Sequence, residues 1–368
     1  MGHRRGDQDE VVLFTGFPGF IGARLLPRLM QLRPRSTFRC LVQQKFLGKA
    51  KQDVAALEKA HPHTRGRLGL VVGDITEARL GLPPGQAKSL QRELVAAYHL
   101  AAVYDLAVAR EIGQRINVLG TRHVLEFLGE AKRLERLHYV STAYVSGTAV
   151  GVFRETDLDV GQKFKNFYEE TKFLAEVEVV SSRLPQTVYR PGIVVGDSRT
   201  GETAKFDGPY FVLSAMRKIP SPGVFLRVGA GRNPINLVPV DFIVEALARL
   251  SSSPQSLGKT YHLTDPDPLT VAELENLFAK ALGKSFVYVP VPMAVAKLAL
   301  APRAVQRFLG MPVQTVDYFD HPCRYDASQA TSDLASLGIT CPKIADYIQK
   351  LVAFYLAQRD SVRKEAMI

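Results

Sequence analysis

A glycine-rich turn between an apolar strand and a helix is the feature that most constrains this chain of 368 residues. Val11–Thr15 is an apolar run typical of a buried strand, and the turn that follows leads into a helical pattern over Phe20–Leu32. Three glycines in the turn would serve a sharp bend, a close approach of backbone amides to a pyrophosphate and close packing of helix on strand, in the order Gly16, Gly19 and Gly22. The order of strand, loop and helix therefore predicts a dinucleotide phosphate site, where a bare glycine spacing would also fit a turn that binds nothing.

Short apolar runs continue to alternate with helical stretches through the first two-thirds of the chain, which is the pattern of a parallel sheet with crossover helices. Further strands are predicted at Phe38–Val42, Leu68–Val72, Ala96–Ala101, Leu137–Ser141 and Thr187–Tyr189. Helices are predicted at Asn117–Leu128 and Tyr168–Ser181. We therefore expect a flexible N-terminus at 1–10 and then a Rossmann-type, doubly wound parallel α/β sheet over residues 11–196.

The composition and the periodicity of the sequence change after Gly196. Residues 197–236 contain many glycines and prolines and little periodicity, which predicts substrate loops. A capping box of Thr270 and Glu273 predicts a helix at Leu269–Leu282, and a last helix is predicted at Pro342–Gln358. We expect residues 197–358 to form a smaller, mainly helical substrate-binding portion that can return strands to the main sheet, followed by a basic tail at 359–368.

Composition excludes several classes of protein. The formal net charge is +11, but the basic residues are scattered and no nucleic-acid module is recognised, so the charge favours solubility or an anionic substrate and cofactor over nucleic-acid binding. The three cysteines are odd in number and lack metal-type spacing, which favours a reduced protein without a metal site (Cys40, Cys323 and Cys341). No run approaches 18 apolar residues and no signal peptide is recognised, so we expect a cytoplasmic protein, with peripheral membrane contact and a monomer or homodimer left open.

The residues after the second predicted strand bear on which dinucleotide would bind. In many such sites an acid about 20 residues beyond the glycine loop binds the ribose 2′-hydroxyl and disfavours NADP(H). Here no Asp or Glu occurs between Glu10 and Asp53, and Arg39 and Lys45 are close by in sequence. This pattern favours NADP(H) over NAD(H). Lys45 and Arg24 are candidates to contact the 2′-phosphate, although each would also fit a solvated surface base.

Tyr168 and Lys172 stand four residues apart on a predicted helix and so share one face. A lysine ammonium near a phenol lowers the pKa of the phenol, which would let this tyrosine exchange a proton near neutral pH. Upstream, the predicted fifth strand closes with Ser141 and Thr142, at the edge where open α/β sheets bind ligands. Either hydroxyl could hold a substrate oxygen, and either could instead cap the following turn.

Together these motifs resemble the extended short-chain dehydrogenases/reductases, in the family's order along residues 11–196. The matching stretches are TGFPGFIG at 15–22, GDI at 73–75, HLAA at 99–102, NVLGT at 117–121, the segment around Thr142, YEETK at 168–172 and RPGIVVG at 190–196. The resemblance implies that Tyr168 is the general acid/base, that Lys172 also holds the nicotinamide ribose, and that Thr142 is the active hydroxyl. It implies cofactor contacts along the loop, at the adenine, along the groove and at the nicotinamide amide, from Gly16, Phe17, Pro18, Gly19, Phe20, Ile21, Gly22, Asp74, Ile75, Ala101, Ala102, Pro191, Gly192 and Ile193.

Within that family, the stretches at 140–147, 194–202, 206–210 and 236–241 look most like thioester reductase domains and fatty acyl-CoA reductases. This resemblance implies an NADPH-dependent oxidoreductase of lipid metabolism that reduces an acyl thioester, presented by coenzyme A or an acyl carrier protein, or the derived aldehyde. Alternatives with the same fold are a sugar-nucleotide epimerase or dehydratase and a hydroxysteroid or ketone dehydrogenase. A non-catalytic cofactor-binding protein is a further alternative, against which the set of Thr142, Tyr168 and Lys172 argues.

The apolar segment Val289–Leu309 carries Lys297, Arg303 and Arg307. It could cover an acyl chain, lie on a membrane surface as an amphipathic helix, or pack in an ordinary core. The sequence leaves these three interpretations open.

Overall fold

The computed structural model describes residues 10–309 and 311–359, and at 307–309 it describes the backbone alone. The flexible N-terminus and the basic tail that the sequence predicts therefore lie, except for Glu10 and Arg359, outside the described residues. In chain order the strands are β1 (Glu10–Thr15), β2 (Ser36–Val42), β3 (Leu68–Val72), β4 (Leu94–His99), β5 (Arg136–Val140), β6 (Gly151–Phe153), β7 (Gln186–Pro191), β8 (Ile193–Val195), β9 (Gly223–Val228), β10 (Leu237–Pro239), β11 (Thr260–Leu263), β12 (Phe286–Val291) and β13 (Cys323–Tyr325).

The helices alternate with these strands through the first half of the chain and dominate the second half. They are α1 (Phe20–Leu32), α2 (Leu47–Ala60), α3 (Pro84–Glu93), α4 (Arg110–Gly113), α5 (Gly120–Gly129), α6 (Phe167–Ser181), α7 (Pro209–Lys218), α8 (Val240–Ser252), α9 (Val271–Ala281), α10 (Met293–Leu300), α11 (Arg303–Leu309), α12 (Ser328–Ser336) and α13 (Ile344–Gln358). A π-helical segment at Gln114–Leu119 joins α4 to α5, so that the chain is helical without interruption from Arg110 to Gly129.

Seven parallel strands form the central sheet in the order β11-β7-β5-β4-β1-β2-β3. The strand order reverses beside β1, so the loops after β1 and β4 border the crevice where sheets of this kind bind ligands. This is the doubly wound Rossmann-type fold that the sequence predicts. Strand β11, from the second half of the chain, also belongs to this sheet. The sequence had left open whether the second half would add a strand to it.

Helices cover both faces of the sheet, as a parallel sheet requires. One apolar core lies between the sheet and α1, α2, α8 and α12, and includes Leu25 and Phe242. A second lies on the opposite face, under α3, α5 and α6, and includes Val124 and Val179. A third core, built by α7, α9 and α13, lies in the mainly helical second half.

Several predicted elements differ from the observed ones. The fourth strand begins and ends two residues earlier than predicted, and the helix predicted from Asn117 begins at Arg110 because the π-helical segment continues it backwards. The prediction of loops throughout 197–236 is wrong, since α7 and β9 lie within it. Pro209 starts α7, which buries apolar residues three apart at Tyr210, Leu213 and Met216. The strand β9 pairs with the distant β12, a pairing that local sequence does not reveal.

Other expectations in the second half are confirmed. The capping box of Thr270 and Glu273 is present at the start of α9, and the last helix covers Ile344–Gln358. None of the described helices is both long enough and apolar enough to cross a lipid bilayer.

Candidate active site

The loop between β1 and α1 lies at the carboxyl edge of the sheet and is shaped by two glycines. Gly16 has a φ of +90°, which favours glycine, and a Cβ there would lie 2.8 Å from the carbonyl carbon of Leu100. A Cβ on Gly22 would lie 2.5 Å from the carbonyl oxygen of Gly16. The amide of Gly19 donates to the same carbonyl over 2.8 Å, and Phe20 then begins α1. Backbone packing therefore brings the positive end of the α1 dipole directly to the crevice.

The other predicted loop residues divide between core and edge. Phe17 is buried, and Ile21 packs against the same core. Pro18 and Phe20 are half-buried, and the guanidinium of Arg24 lies 4.6 Å from the centre of the Phe20 ring. The side chains of Phe17 and Ile21 thus anchor the loop, which leaves backbone groups to face a ligand.

A chain of buried hydrogen bonds ties the loop to the end of β4. The hydroxyl of Thr15 lies 2.8 Å from Nδ1 of His99, whose Nε2 lies 3.1 Å from the hydroxyl of Thr121. The amide of Ala101 donates to the Thr15 hydroxyl over 3.2 Å. Burial, helped by the charge of Lys172, lowers the pKa of His99 to about 3, so the imidazole is neutral. Ala101, with the half-buried Ala102 after it, is therefore held beside the glycine loop.

The predicted adenine residues follow β3 at the same edge of the sheet. Asp74 accepts hydrogen bonds from the side-chain amide of Gln43 over 2.8 Å and from the backbone amide of Thr76 over 2.9 Å. Ile75 is buried against α5, where a Cβ on Gly120 would lie 2.9 Å from its Cδ1 atom. The Ile75 side chain thus packs in the core below the crevice, whereas Asp74 lies between the ends of β2 and β3.

The two bases predicted near a 2′-phosphate are placed differently. Lys45 is exposed just after β2, with Nζ 4.8 Å from the centre of the Phe46 ring. Arg24, on the first turns of α1, forms an ion pair with Glu202. Lys45 therefore stays at the edge where the sequence placed it, and Arg24 is paired with the segment that follows β8.

The predicted nicotinamide segment joins the two halves of the chain at the end of β7. The amide of Gly192 donates to the carbonyl of Leu263 over 3.1 Å, and the amide of Ile193 donates to the carbonyl of Asn236 over 2.9 Å. A Cβ on Gly192 would lie 2.8 Å from Oδ1 of Asn236. Both amides after Pro191 are thus used inside the protein, which fixes the path of this segment.

Thr142, Tyr168 and Lys172 come together at the carboxyl end of β5, and all three are buried. Tyr168 and Lys172 lie on the first turns of α6, which begins after the N-cap Asn166. The Thr142 hydroxyl lies near enough to the Tyr168 phenol to act on the pKa of that phenol. Thr142 also accepts a hydrogen bond from the amide of Tyr144 over 3.3 Å, so it caps the following turn as well as contacting Tyr168.

Lys172 is held from below by β5. Its ammonium donates to the hydroxyl of Tyr139 and to the carbonyl of Val140, each over 2.9 Å. Burial lowers the pKa of Lys172 to about 8, while the carboxylate of Glu176 acts in the opposite direction. The lysine is therefore a cation that titrates close to neutral pH.

The sequence predicts that Lys172 lowers the pKa of Tyr168, but in the structure this pKa is raised. Burial raises the pKa of Tyr168, and the neighbouring Thr142 hydroxyl opposes the shift only in part. The reason is that the phenol is removed from water while the ammonium is engaged by Tyr139 and Val140. Tyr168 consequently stays protonated, which suits a group that donates a proton.

Ser141, the other hydroxyl considered from the sequence, is bound to a different residue. Ser141 donates to the carboxylate of Glu176, which in turn binds the guanidinium of Arg190 at 2.6 and 2.9 Å. Glu176 and Arg190 are both fully buried. This network joins α6 to β7 behind the site, and it leaves Thr142 as the strand-end hydroxyl that contacts Tyr168.

Sequence reasoning missed several residues of the site. Glu176 could have been found, since it stands four residues beyond Lys172 on the same helix face. Tyr104 lies edge-on to Tyr168, with ring centres 5.2 Å apart, and no sequence motif marks it. Tyr144 meets Tyr318 in the same way at 4.9 Å, and both rings line a small pocket. Only the folded chain brings these rings to the site.

Among the described residues, no group of three or more His, Cys, Asp or Glu side chains could hold a metal ion. The arrangement that remains is a hydroxyl pair of Tyr168 and Thr142, backed by the Lys172 ammonium and adjacent to a glycine loop at a helix N-terminus. Such a site can bind a phosphorylated cofactor and hold a carbonyl oxygen for protonation.

The chain is similar to a described protein family and to several known proteins. The family described as male sterility protein, an NAD-binding family, matches residues 14–247. A protein of the linear gramicidin synthase of Brevibacillus parabrevis is 26% identical over 97% of this chain but only 7% of that protein. The fatty acyl-CoA reductase wat of Drosophila melanogaster is 26% identical over 73% of this chain and 59% of that protein. This chain thus spans less than two thirds of the length of either relative.

One solved structure resembles this chain over nearly the whole length of both. It is the terminal R domain from the myxalamid PKS-NRPS biosynthetic pathway, with a TM-score of 0.79 and 26% identity, covering 96% of this chain and 92% of that one. The reductase domain of a nonribosomal peptide synthetase from Mycobacterium tuberculosis, at 22% identity and a TM-score of 0.69, shares the fold.

Proposed function

Because this chain belongs to the male sterility protein family, within the extended short-chain dehydrogenases/reductases, we propose that it is an NADPH-dependent reductase of acyl thioesters. The observation that carries the proposal is the placement of Tyr168 next to Thr142 at the edge of the sheet that also carries the glycine loop. Relatives described as a fatty acyl-CoA reductase and as a synthetase R domain support the choice of an acyl thioester.

The residues at the β1–α1 loop fit a dinucleotide. The close contacts at Gly16 and Gly22 hold the loop against Leu100 and against the start of α1, so the α1 N-terminus can meet a pyrophosphate at the edge of the sheet. We assign Gly16, Phe17, Pro18, Gly19, Phe20, Ile21 and Gly22 to the phosphates, Asp74 and Ile75 to the adenine side, Ala101 and Ala102 to the groove, and Pro191, Gly192 and Ile193 with Tyr168 and Lys172 to the nicotinamide half. When bound, NADPH would supply a hydride to the carbonyl carbon of the substrate.

Residues of the chain bind the carbonyl oxygen of the substrate and supply the proton. Thr142 and Tyr168 hold the carbonyl oxygen as it gains negative charge, which stabilises the tetrahedral oxyanion. Tyr168 is the proton donor, and the raised pKa that burial gives it keeps the proton available. Lys172 supplies positive charge beneath the pair and is itself oriented by Tyr139.

The bond changes define the products. The carbonyl carbon gains a hydrogen with its electron pair, the carbon–sulfur bond breaks, and the sulfur leaves as a thiol after taking up a proton. The first product is therefore an aldehyde. A second, identical reduction would convert the aldehyde to an alcohol, with Tyr168 protonating the alkoxide.

Turnover with defined substrates tests the proposal. The full chain is supplied with NADPH and acyl-coenzyme A, acyl carrier protein thioesters, aldehydes, ketones and nucleotide sugars, and NADPH consumption and product are measured. We expect turnover with a thioester and a loss of about 10²–10⁴-fold in Tyr168→Phe. Tyr347→Phe is the matched control, because the Tyr347 hydroxyl finds no hydrogen-bond partner among the described residues. Conversion of a nucleotide sugar without reduction of any thioester or aldehyde would refute the proposal.

The preference for NADP(H) over NAD(H) is tested separately. Gln43, Gln44 and Lys45 follow β2, and Lys45 is exposed there to meet a 2′-phosphate. We expect Lys45→Ala to reduce kcat/KM for NADPH about tenfold while leaving that for NADH unchanged, as for one charged contact. Lys59→Ala, at the far end of α2, is the control. Equal kcat/KM for the two nucleotides in the unmodified protein would contradict the assignment.

A further inference from the structure

The pair of parallel strands β9 and β12, here called the ribbon, has one apolar face that the described chain leaves uncovered. Val224 is opposite Val287, and Leu226 is opposite Val289. These four side chains, which define the ribbon face, are 41–66% exposed, while the alternate Phe225 packs inward in the third core. Parallel strands are normally covered on both faces, so an open aliphatic face on such a pair needs a partner.

Helix α10 follows β12 in the chain and is also largely exposed. Seven of its eight residues are apolar, yet Leu300 alone is buried. Val295 is 52% exposed and Leu298 is 76% exposed. The core-packing interpretation of this part of the segment 289–309 is therefore wrong, and α10 is a second exposed aliphatic area that follows the ribbon in the chain.

The charge of the two segments that build this surface is entirely positive. Residues 208–240 contain four Lys or Arg and no Asp or Glu, and residues 276–316 contain five Lys or Arg and again no acid. These nine cations account for most of the net charge of +11. Lys280, Arg232 and Arg303 are exposed.

Two acids of neighbouring elements pair with cations of these segments. Glu275 is buried beneath the ribbon, where it pairs with Arg227 at 2.5 Å, and Asp317 pairs with Lys297 at 2.5 Å. The exposed cations lie at both ends of the ribbon: Lys280 precedes β12, and Arg232 follows β9. An aliphatic area bordered by cations is thus presented to an anionic partner.

We propose that the ribbon face and α10 together form a docking surface for a lipid bilayer with anionic headgroups. Aliphatic side chains would enter the interfacial region while lysine and arginine side chains meet the lipid phosphates. Protein interfaces concentrate Tyr, Trp and Arg at their centre, whereas the exposed centre of this surface consists of Val and Leu with the cations around it. A second copy of the chain is disfavoured, since a symmetric contact would bring the same cations against each other.

Vesicle binding by the full chain tests this proposal without depending on the proposed reductase activity. Sedimentation is measured with vesicles of phosphatidylcholine alone and with vesicles that also contain phosphatidylglycerol, at low and high salt. We expect binding to the anionic vesicles, weakened by salt, and a loss on the order of tenfold in Leu226→Glu/Val289→Glu. Val160→Glu/Val180→Glu makes the same change at exposed valines elsewhere and should bind normally.

A second pair of substitutions guards against a folding defect. Lys280→Gln/Arg303→Gln leaves the apolar face intact and should weaken binding only to the anionic vesicles. The proposal is overturned if no vesicle is bound at low salt, or if the Leu226→Glu/Val289→Glu protein binds as well as the unmodified one. A dimer abolished by that variant would assign the face to self-association. Turnover lost only with carrier-protein thioesters would assign it to a carrier protein.

Discussion

The ammonium of Lys172 donates a hydrogen bond to the hydroxyl of Tyr139 over 2.9 Å, so a residue of β5 holds the lysine that α6 presents. The same ammonium lies 4.6 Å from the centre of the Tyr139 ring. Both contacts favour the charged lysine, against a burial that lowers its pKa to about 8. The charge beneath the Tyr168–Thr142 pair is therefore sensitive to pH and to what surrounds it.

Reductase activity should fall as the pH rises through about 8, because Lys172 then loses its proton and the site loses a positive charge. In Lys172→Arg the guanidinium remains charged over this range, so the alkaline limb of kcat/KM should move to higher pH even if the maximal rate is lower. The measurement is a pH profile of kcat/KM with a thioester. An unchanged alkaline limb in Lys172→Arg would show that another group is titrating.

The same titration should appear in stability. Between pH 8 and 10.5 the unfolded chain binds a proton at Lys172 that the folded chain has released, so this group makes the free energy of unfolding rise with pH. Lys172→Met removes that contribution and should flatten the rise. Denaturant unfolding of both proteins across this window measures the effect, and parallel curves would contradict it.

Tyr139→Phe keeps the ring beneath Lys172 but removes the hydroxyl that accepts its hydrogen bond. The pKa of Lys172 should fall further, which moves the alkaline limb of kcat/KM to lower pH, and stability should decrease by about 0.5–1.5 kcal/mol. Tyr347→Phe again serves as the control in both measurements. A loss of stability without any shift of the limb would mean that Tyr139 has no influence on the lysine charge.

Glu176→Gln should destabilise the protein by about 3–5 kcal/mol, because it leaves the guanidinium of Arg190 buried without its carboxylate partner. Glu178→Gln, two residues further along α6, breaks a surface pair with Arg122 and should change stability by less than about 1 kcal/mol. Chemical denaturation of the two variants compares them directly. Equal losses of stability in the two variants would show that the buried pair contributes no more than the surface pair.

Gly22→Ala should impair nucleotide binding and stability together, since the new Cβ would meet the Gly16 carbonyl oxygen at 2.5 Å and push α1 away from the loop. A loss of about 1–3 kcal/mol is expected from such overpacking. Gly48→Ala is the matched control, because a Cβ at this position in α2 meets nothing within 4 Å and alanine favours the helix. Nucleotide titration followed by thermal unfolding separates the two effects.

The sequence by itself determined the sheet and its ligand edge, because local patterns encode both. Alternating apolar runs and helical periods predict β1, α1 and α6 within one or two residues, and the spacing of Tyr168 and Lys172 on one helix face needs only helical geometry. The glycines at 16 and 22 report backbone contacts through the absence of a side chain. Such signals are local, so no knowledge of distant packing is required to recognise them.

Tertiary structure decided what depends on residues far apart in the chain. It engaged Ser141 with Glu176 and left Thr142 to meet Tyr168, although both hydroxyls end the same strand. It raised the pKa of Tyr168 through burial, where the sequence argued only from the neighbouring charge. It also formed β9 in a region that local sequence predicted as loops and paired it with the distant β12, leaving an aliphatic face outward. Burial, long-range pairing and the choice between two adjacent hydroxyls are set by contacts across the fold, and for that reason the sequence alone could not supply them.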